Sequence, residues 1–172
     1  ALAPLARSST NTYEGTLMKI HLGTDHAGYE FKETLKKHLE DNGYEVVDHG
    51  AHEYDALDDY PAFCIAAAQG VVADRAEGLD SLGVVIGGSG NGEQMAANKV
   101  KGARCALSWN PEISRLAREH NDAWLVSVGA RQHSEDEAIS IVDAFIRTPF
   151  SNDDRHVRRI GIMSEFETTG RV

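Results

Sequence analysis

Two stretches of the chain set groups that move protons beside groups that hold anions. The first is Gly23-Thr24-Asp25-His26-Ala27-Gly28, in which a carboxylate and an imidazole stand side by side after a β-prone run. Such a pair accepts and donates protons near neutral pH. On position alone, Asp25 as a helix cap with His26 as a surface residue is an equally good account. The second stretch is Gly87-Gly88-Ser89-Gly90-Asn91-Gly92-Glu93-Gln94. Its glycines let the backbone turn N–H groups inward and let a ligand approach closely, as an anion nest requires. Two familiar phosphate patterns fail here. G-x-G-x-x-G begun at Gly88 ends on Glu93, and the Walker pattern begun at Gly87 has Glu93 where it needs Lys. Dinucleotide and nucleoside-triphosphate binding lose their main support. A carboxylate base beside N–H donors is instead the pairing that removes a proton next to a carbonyl and stabilises the resulting enediolate. The competing account of Glu93 is a first-turn charge favoured by the helix dipole.

Later segments add cations. Arg118-Glu119-His120-Asn121-Asp122 closes one helical stretch, and Gly129-Ala130-Arg131 follows a strand-like run. In Arg155-His156-Val157-Arg158-Arg159 the first and last arginines share a helical face, which suits a bidentate grip on phosphate. Any one of these arginines is better accounted for by pairing with the many acids, whereas the cluster as a whole is less well explained that way. The acidic stretch from Glu53 to Asp59 reads as a solvated loop from which Asp58 and Asp59 could face a site. Cys64 and Cys105 read as inert core thiols. His21, His38, His49, His52 and His133 have no companions that single them out, and no cluster has metal-ligand spacing, so no metal is expected.

The elements that must position these residues alternate. Strand-like runs at 19–23, 44–48, 83–87, 104–108 and 124–128 are separated by helical patterns at 29–42, 60–73, 93–99, 111–120 and 135–147, with a last helix at 154–167. That alternation predicts right-handed βαβ crossovers and a doubly wound α/β fold with a five-stranded parallel sheet. Val84-Val85-Ile86 is apolar without alternation, as a central strand covered on both faces must be. In such sheets ligands bind beyond the strands' carboxyl ends, where both chemical stretches fall.

The chain has 172 residues, 41% hydrophobic and 26% charged, which fits one domain with a real core. Residues 1–17 are Ser/Thr-rich and aperiodic and read as a disordered leader or cloning remnant, with the domain proper at 18–172. Seventeen basic against 27 acidic residues leave a charge of −10, which argues against general nucleic-acid binding. Two scattered cysteines and the lack of a membrane-length apolar run suggest a soluble cytoplasmic protein.

Five separated motifs together resemble ribose-5-phosphate isomerase type B, a family shared with galactose-6-phosphate and allose-6-phosphate isomerases. They are Gly23 to Gly28, Asp59-Tyr60-Pro61, Gly87 to Gly92 with Ala96-Ala97-Asn98-Lys99, Arg118 to Asn121, and Arg155-His156. The resemblance runs from Met18 to about Glu167. It implies a Rossmann-like fold and a cofactor-free, metal-free aldose–ketose isomerase, a homodimer or homotetramer with active sites at subunit interfaces. Carried over, His120 resembles the group that opens the furanose ring, with Asp25 assisting. Gly88, Gly90, Asn91 and Gly92 resemble the anion hole for the enediolate, and Ser89 a proton carrier for the substrate oxygens. His26, Arg131, Arg155 and Arg159 resemble phosphate ligands, the last two reaching in from a partner subunit, and Tyr60 and Asn121 resemble sugar contacts. Many members have a cysteine base immediately before the glycine loop. Here that position is Gly87, so the chain resembles the subgroup with a glutamate base, Glu93. The preferred sugar stays open among ribose 5-phosphate, allose 6-phosphate, galactose 6-phosphate and erythrulose 4-phosphate, and a non-catalytic sugar-phosphate sensor is the remaining alternative.

Overall fold

The computed structural model describes residues 12–13 and 16–172. Five parallel strands form the central sheet: β1 (Lys19–Thr24), β2 (Glu45–Asp48), β3 (Leu82–Gly87), β4 (Cys105–Leu107) and β5 (Leu125–Gly129). Their order is β2-β1-β3-β5-β4. The helices are α1 (Tyr29–Asp41), α2 (Tyr60–Ala76), α3 (Asn91–Ala97), α4 (Pro111–Asn121), α5 (Glu135–Arg147) and α6 (Asp154–Thr169). The expected α/β architecture is therefore present, with every anticipated strand and helix in place. Most of the leader anticipated at 1–17 lies outside the described residues; Thr12–Tyr13 pairs antiparallel with Thr16–Leu17.

Helix boundaries follow local chemistry. Asn110 caps α4 by accepting from the Ile113 N–H, with Pro111 at its first turn, and Ser134 caps α5 by accepting from the Glu137 N–H. The anticipated start of α3 at Glu93 moves forward to Asn91, because Gly90 adopts φ 86° and the helix begins directly after that left-handed residue.

Two apolar clusters hold the layers. On one face Leu82, Val84 and Ile86 of β3 pack with Phe31, Leu35 and Leu39 of α1 and Ile141, Val142 and Phe145 of α5. On the other, Val85 and Leu125 meet Cys64, Ala67, Ala68 and Val71 of α2 and Ala96 and Ala97 of α3. β3 is buried along its whole length, which explains its unbroken apolar run.

Because all five strands are parallel, one edge of the sheet receives every strand's carboxyl end. The chain leaves β1 toward one side and β3 toward the other, so the crevice between the segments that follow them is the topological switch point, where such sheets bind ligands. The opposite edge receives the ends of the helices. α4 ends at Asn121, and after three intervening residues β5 starts at Leu125. At ~3.3 Å rise per residue, the length of β5 separates the two edges by roughly 16 Å.

Candidate active site at the switch point

Asp25 caps a short 3-10 turn, His26–Gly28, its Oδ1 accepting from the Ala27 N–H at 2.9 Å. Its other oxygen, Oδ2, lies 4.0 Å from His26 Nδ1. The cap uses one oxygen of Asp25 and leaves the other beside His26. His26 is fixed by Asp58: the carboxylate Oδ1 accepts from the His26 backbone N–H at 2.9 Å and pairs with ring Nδ1 at 2.8 Å. Tyr54 stands edge-on to the imidazole, with ring centroids 6.4 Å apart. The 49–51 segment that leads toward Asp58 is clamped by Lys32. Its buried ammonium donates to both oxygens of Asp48 at 2.9 Å and also to the Ala51 carbonyl.

Across the crevice, Glu93 is only 4% exposed. Its carboxylate lies over Gly87: a Cβ built on that glycine would sit 1.8 Å from Glu93 Oε1. Any side chain at 87 therefore takes the space the carboxylate occupies. Burial raises the Glu93 pKa above the usual carboxylate range, and the Asp25 charge adds to it, while backbone N–H groups of Glu93 itself and Gly90 pull the other way. The helix dipole, worth about 0.3–1 kcal/mol, does not prevail over desolvation at this depth. Glu93 Oε2 is buried with no hydrogen-bond partner among the described residues. An unpaired buried carboxylate oxygen is unfavourable for a merely structural group, and it suits a base awaiting a proton.

The glycine loop is pinned from one side. The carbonyls of Gly87 and Gly88 accept from the Ala130 and Arg131 N–H groups, and that of Gly90 from Ser127 Oγ at 2.7 Å. In a planar trans peptide the next N–H points the opposite way, so the N–H groups of Gly88 and Ser89 face away from β5. Ser89 Oγ accepts from the Asn91 backbone and side-chain N–H groups at 3.3 and 3.2 Å. A Cβ on Gly92 would fall 2.2 Å from the Tyr60 hydroxyl, and one on Gly88 would fall 3.5 Å from an Arg131 guanidinium nitrogen. Asp25, His26, Tyr60, Gly88, Ser89, Gly90, Asn91, Gly92, Glu93 and Arg131 therefore lie on this one edge.

Four candidates do not. His120 and Asn121 end α4 on the opposite edge, and α6 starts beside them. The His120 and His156 rings are 4.3 Å apart, and the Ser151 N–H donates to the Glu119 carbonyl. Arg155 and Arg159 are exposed on that helix. Burial and the neighbouring His120 push His156 below the ordinary histidine value.

The acidic loop offers Asp58 as a residue facing a site, but its bond to His26 joins residues 32 positions apart and has no local signal. Asp25, His26 and Asp58 also bring their ligand-type atoms within 4.8 Å of one another, a grouping that linear spacing hides. Cys64 is buried near Glu93 and Asp25, and burial, reinforced by those two charges, pushes its thiol up, which disfavours the reactive thiolate.

The sequence profile of the ribose/galactose isomerase family matches residues 20–163. The chain belongs to this family. Among curated relatives, ribose-5-phosphate isomerase B of Mycolicibacterium paratuberculosis is 59% identical over 152 residues, covering 88% of this chain and 93% of the relative. That of Mycobacterium tuberculosis is 58% identical, covering 88% and 91%. Among solved structures, ribose-5-phosphate isomerase B of Mycoplasma genitalium with bound ribulose-5-phosphate superposes with a TM-score of 0.82 at 36% identity, covering 88% of this chain and 97% of that one. The Clostridium thermocellum enzyme gives 0.81 at 39% identity, covering 90% and 100%. The ribose/galactose isomerase fold accordingly extends over nearly the whole described chain.

Proposed function

We propose that the protein interconverts D-ribose 5-phosphate and D-ribulose 5-phosphate through a cis-enediolate, with Glu93 as the base and without cofactor or metal, in the cytoplasm. The buried Glu93 carboxylate, packed on Gly87 with one oxygen unpaired, carries this reading. In its ionised form Glu93 takes the proton from C2 of the open-chain aldose and returns it to C1. The electron pair left behind moves onto the carbonyl oxygen, where the loop N–H groups of residues 88–92 stabilise the negative charge. Ser89 carries the hydroxyl proton between O1 and O2. The same enzymatic reading assigns the phosphate to His26 and Arg131 and sugar contacts to Tyr60.

Ring opening needs His120, and the phosphate grip needs Arg155 and Arg159, all on the far edge of their own chain. The reading is therefore that a second copy supplies His120, Asn121, Arg155 and Arg159 to each site, in a homodimer or homotetramer. The exposed apolar side chains of α6, Val157, Ile162, Met163 and Phe166, support an association through that helix.

The test is a coupled assay in EDTA on ribose 5-phosphate, allose 6-phosphate, galactose 6-phosphate and erythrulose 4-phosphate. A kcat/KM preference for ribose 5-phosphate is expected. Preference for another sugar keeps the mechanism and changes the substrate, whereas silence on all four contradicts catalysis and leaves a sugar-phosphate sensor.

A further inference from the structure

We infer that Asp58 is a positioning residue that sets the tautomer and aim of His26 for phosphate binding. The inference rests on the phosphate role proposed for His26. A single oxygen, Asp58 Oδ1, meets both the backbone N–H of His26 at 2.9 Å and ring Nδ1 at 2.8 Å. An ionised carboxylate only accepts, so Nδ1 carries the hydrogen and Nε2 is left as the working nitrogen. Two bonds from one oxygen to the same residue also fix the ring plane, because backbone and side chain are held at one point. When Nε2 meets a phosphoryl oxygen it must donate. The bound ring is then an imidazolium with Asp58 behind it and the phosphate in front, an arrangement of charge-assisted bonds on both sides. Asp25 Oδ2 at 4.0 Å supplies a second negative charge behind the ring, and Tyr54 walls one side.

Fold stability does not account for Asp58. Its Oδ2 is buried and has no partner among the described residues, an unfavourable state for a group whose task is structural. The side chain is 11% exposed against 24% for His26, so the carboxylate stands behind the imidazole as seen from solvent. It is placed there by the 49–59 segment, which Lys32 clamps through Asp48 and the Ala51 carbonyl at the end of β2.

The experiment pairs a spectroscopic with a kinetic readout on the full chain. Long-range ¹H–¹⁵N spectra of the histidine rings report which nitrogen is protonated. Wild type is expected to show His26 with Nδ1 protonated, and both nitrogens protonated when inorganic phosphate is added. Asp58→Ala is expected to release the ring to its ordinary Nε2-protonated form and to raise KM for ribose 5-phosphate about tenfold with kcat changed less than threefold. Asp58→Asn keeps an acceptor oxygen without the charge, so it is expected to restore the Nδ1-protonated tautomer while recovering KM only in part, to between the wild-type and Asp58→Ala values. A ring that stays Nδ1-protonated in Asp58→Ala overturns the inference, and so does the altered tautomer with an unchanged KM. His26→Ala separates this from failure of the underlying reading. If His26→Ala raises KM and Asp58→Ala does not, the positioning role alone fails; if His26→Ala leaves KM unchanged, the phosphate role of His26 fails with it.

Discussion

The two edges of the sheet carry comparable chemistry in different states of completion. At the carboxyl edge, Asp25, His26, Asp58, Glu93 and the glycine loop are locked to one another and to the sheet by short bonds and close packing. At the opposite edge His120 packs at a tilt against His156, while Arg155 and Arg159 lie on a helix of which only His156 is buried. In the proposed reaction these are the two halves of one site, the base on one edge and the ring-opening and phosphate-gripping groups on the other. Roughly 16 Å of sheet keeps them apart in any one chain. The difference teaches that motifs adjacent in a sequence signature can lie on opposite edges of one chain, and under the proposed reading a second copy would bring them together.

The largest effect is expected from Glu93→Gln, which removes the base from the finished edge. A fall in kcat of about 10³ with KM within threefold is the expected steady-state result, since the base acts only in the transition state. Near-normal turnover would take Glu93 out of the mechanism. Gly87→Ala sharpens the same point by geometry. The added methyl group would collide with the end of a flexible side chain, so the carboxylate swings aside and the fold survives. The expectation is a kcat loss of about a hundredfold with a small change in Tm. Arg159→Ala probes the other half and is expected to raise KM about tenfold while sparing kcat, because it loses a charge-assisted contact made in ground and transition states alike.

Smaller effects concern pH. The base must be ionised, and burial with the Asp25 charge raises its pKa, so the acid limb of kcat/KM lies above the usual carboxylate range. Removing that charge in Asp25→Asn moves the limb to lower pH in whatever activity remains. The same shift enters stability. A carboxyl whose folded-state pKa is raised contributes stability below the usual carboxylate range and loses it as pH rises through the raised value. Glu93→Gln carries no such penalty, so its Tm relative to wild type is expected to climb as pH rises from the usual carboxylate range through the raised Glu93 value, by a few degrees at most.

Much of the fold was legible because it is written in local periodicity. The unbroken apolar run of β3, the Pro111 start of α4 and the Ser134 cap of α5 fixed elements to within a few residues. The adjacency of Glu93 to the glycine loop is also local, and it was readable without the fold. What stayed hidden is set by pairings across the chain. The strand order that puts Asp25 opposite Glu93, the reach of Asp58 to His26, and the overlap of Glu93 with the space above Gly87 all depend on crossovers between distant segments. Local pattern places His120 at the end of α4, but only the parallel sheet shows that this end lies away from Glu93.

The most direct test of a site shared between copies is complementation. Glu93→Gln and His120→Asn chains, each nearly inactive alone, are unfolded together, refolded at equal concentrations and assayed on ribose 5-phosphate. If every site takes Glu93 from one copy and His120 from another, random pairing restores about a quarter of wild-type kcat per chain, because one combination in four joins the two intact halves. Activity no greater than the sum of the two parent variants would contradict the account and return the whole reaction to a single chain.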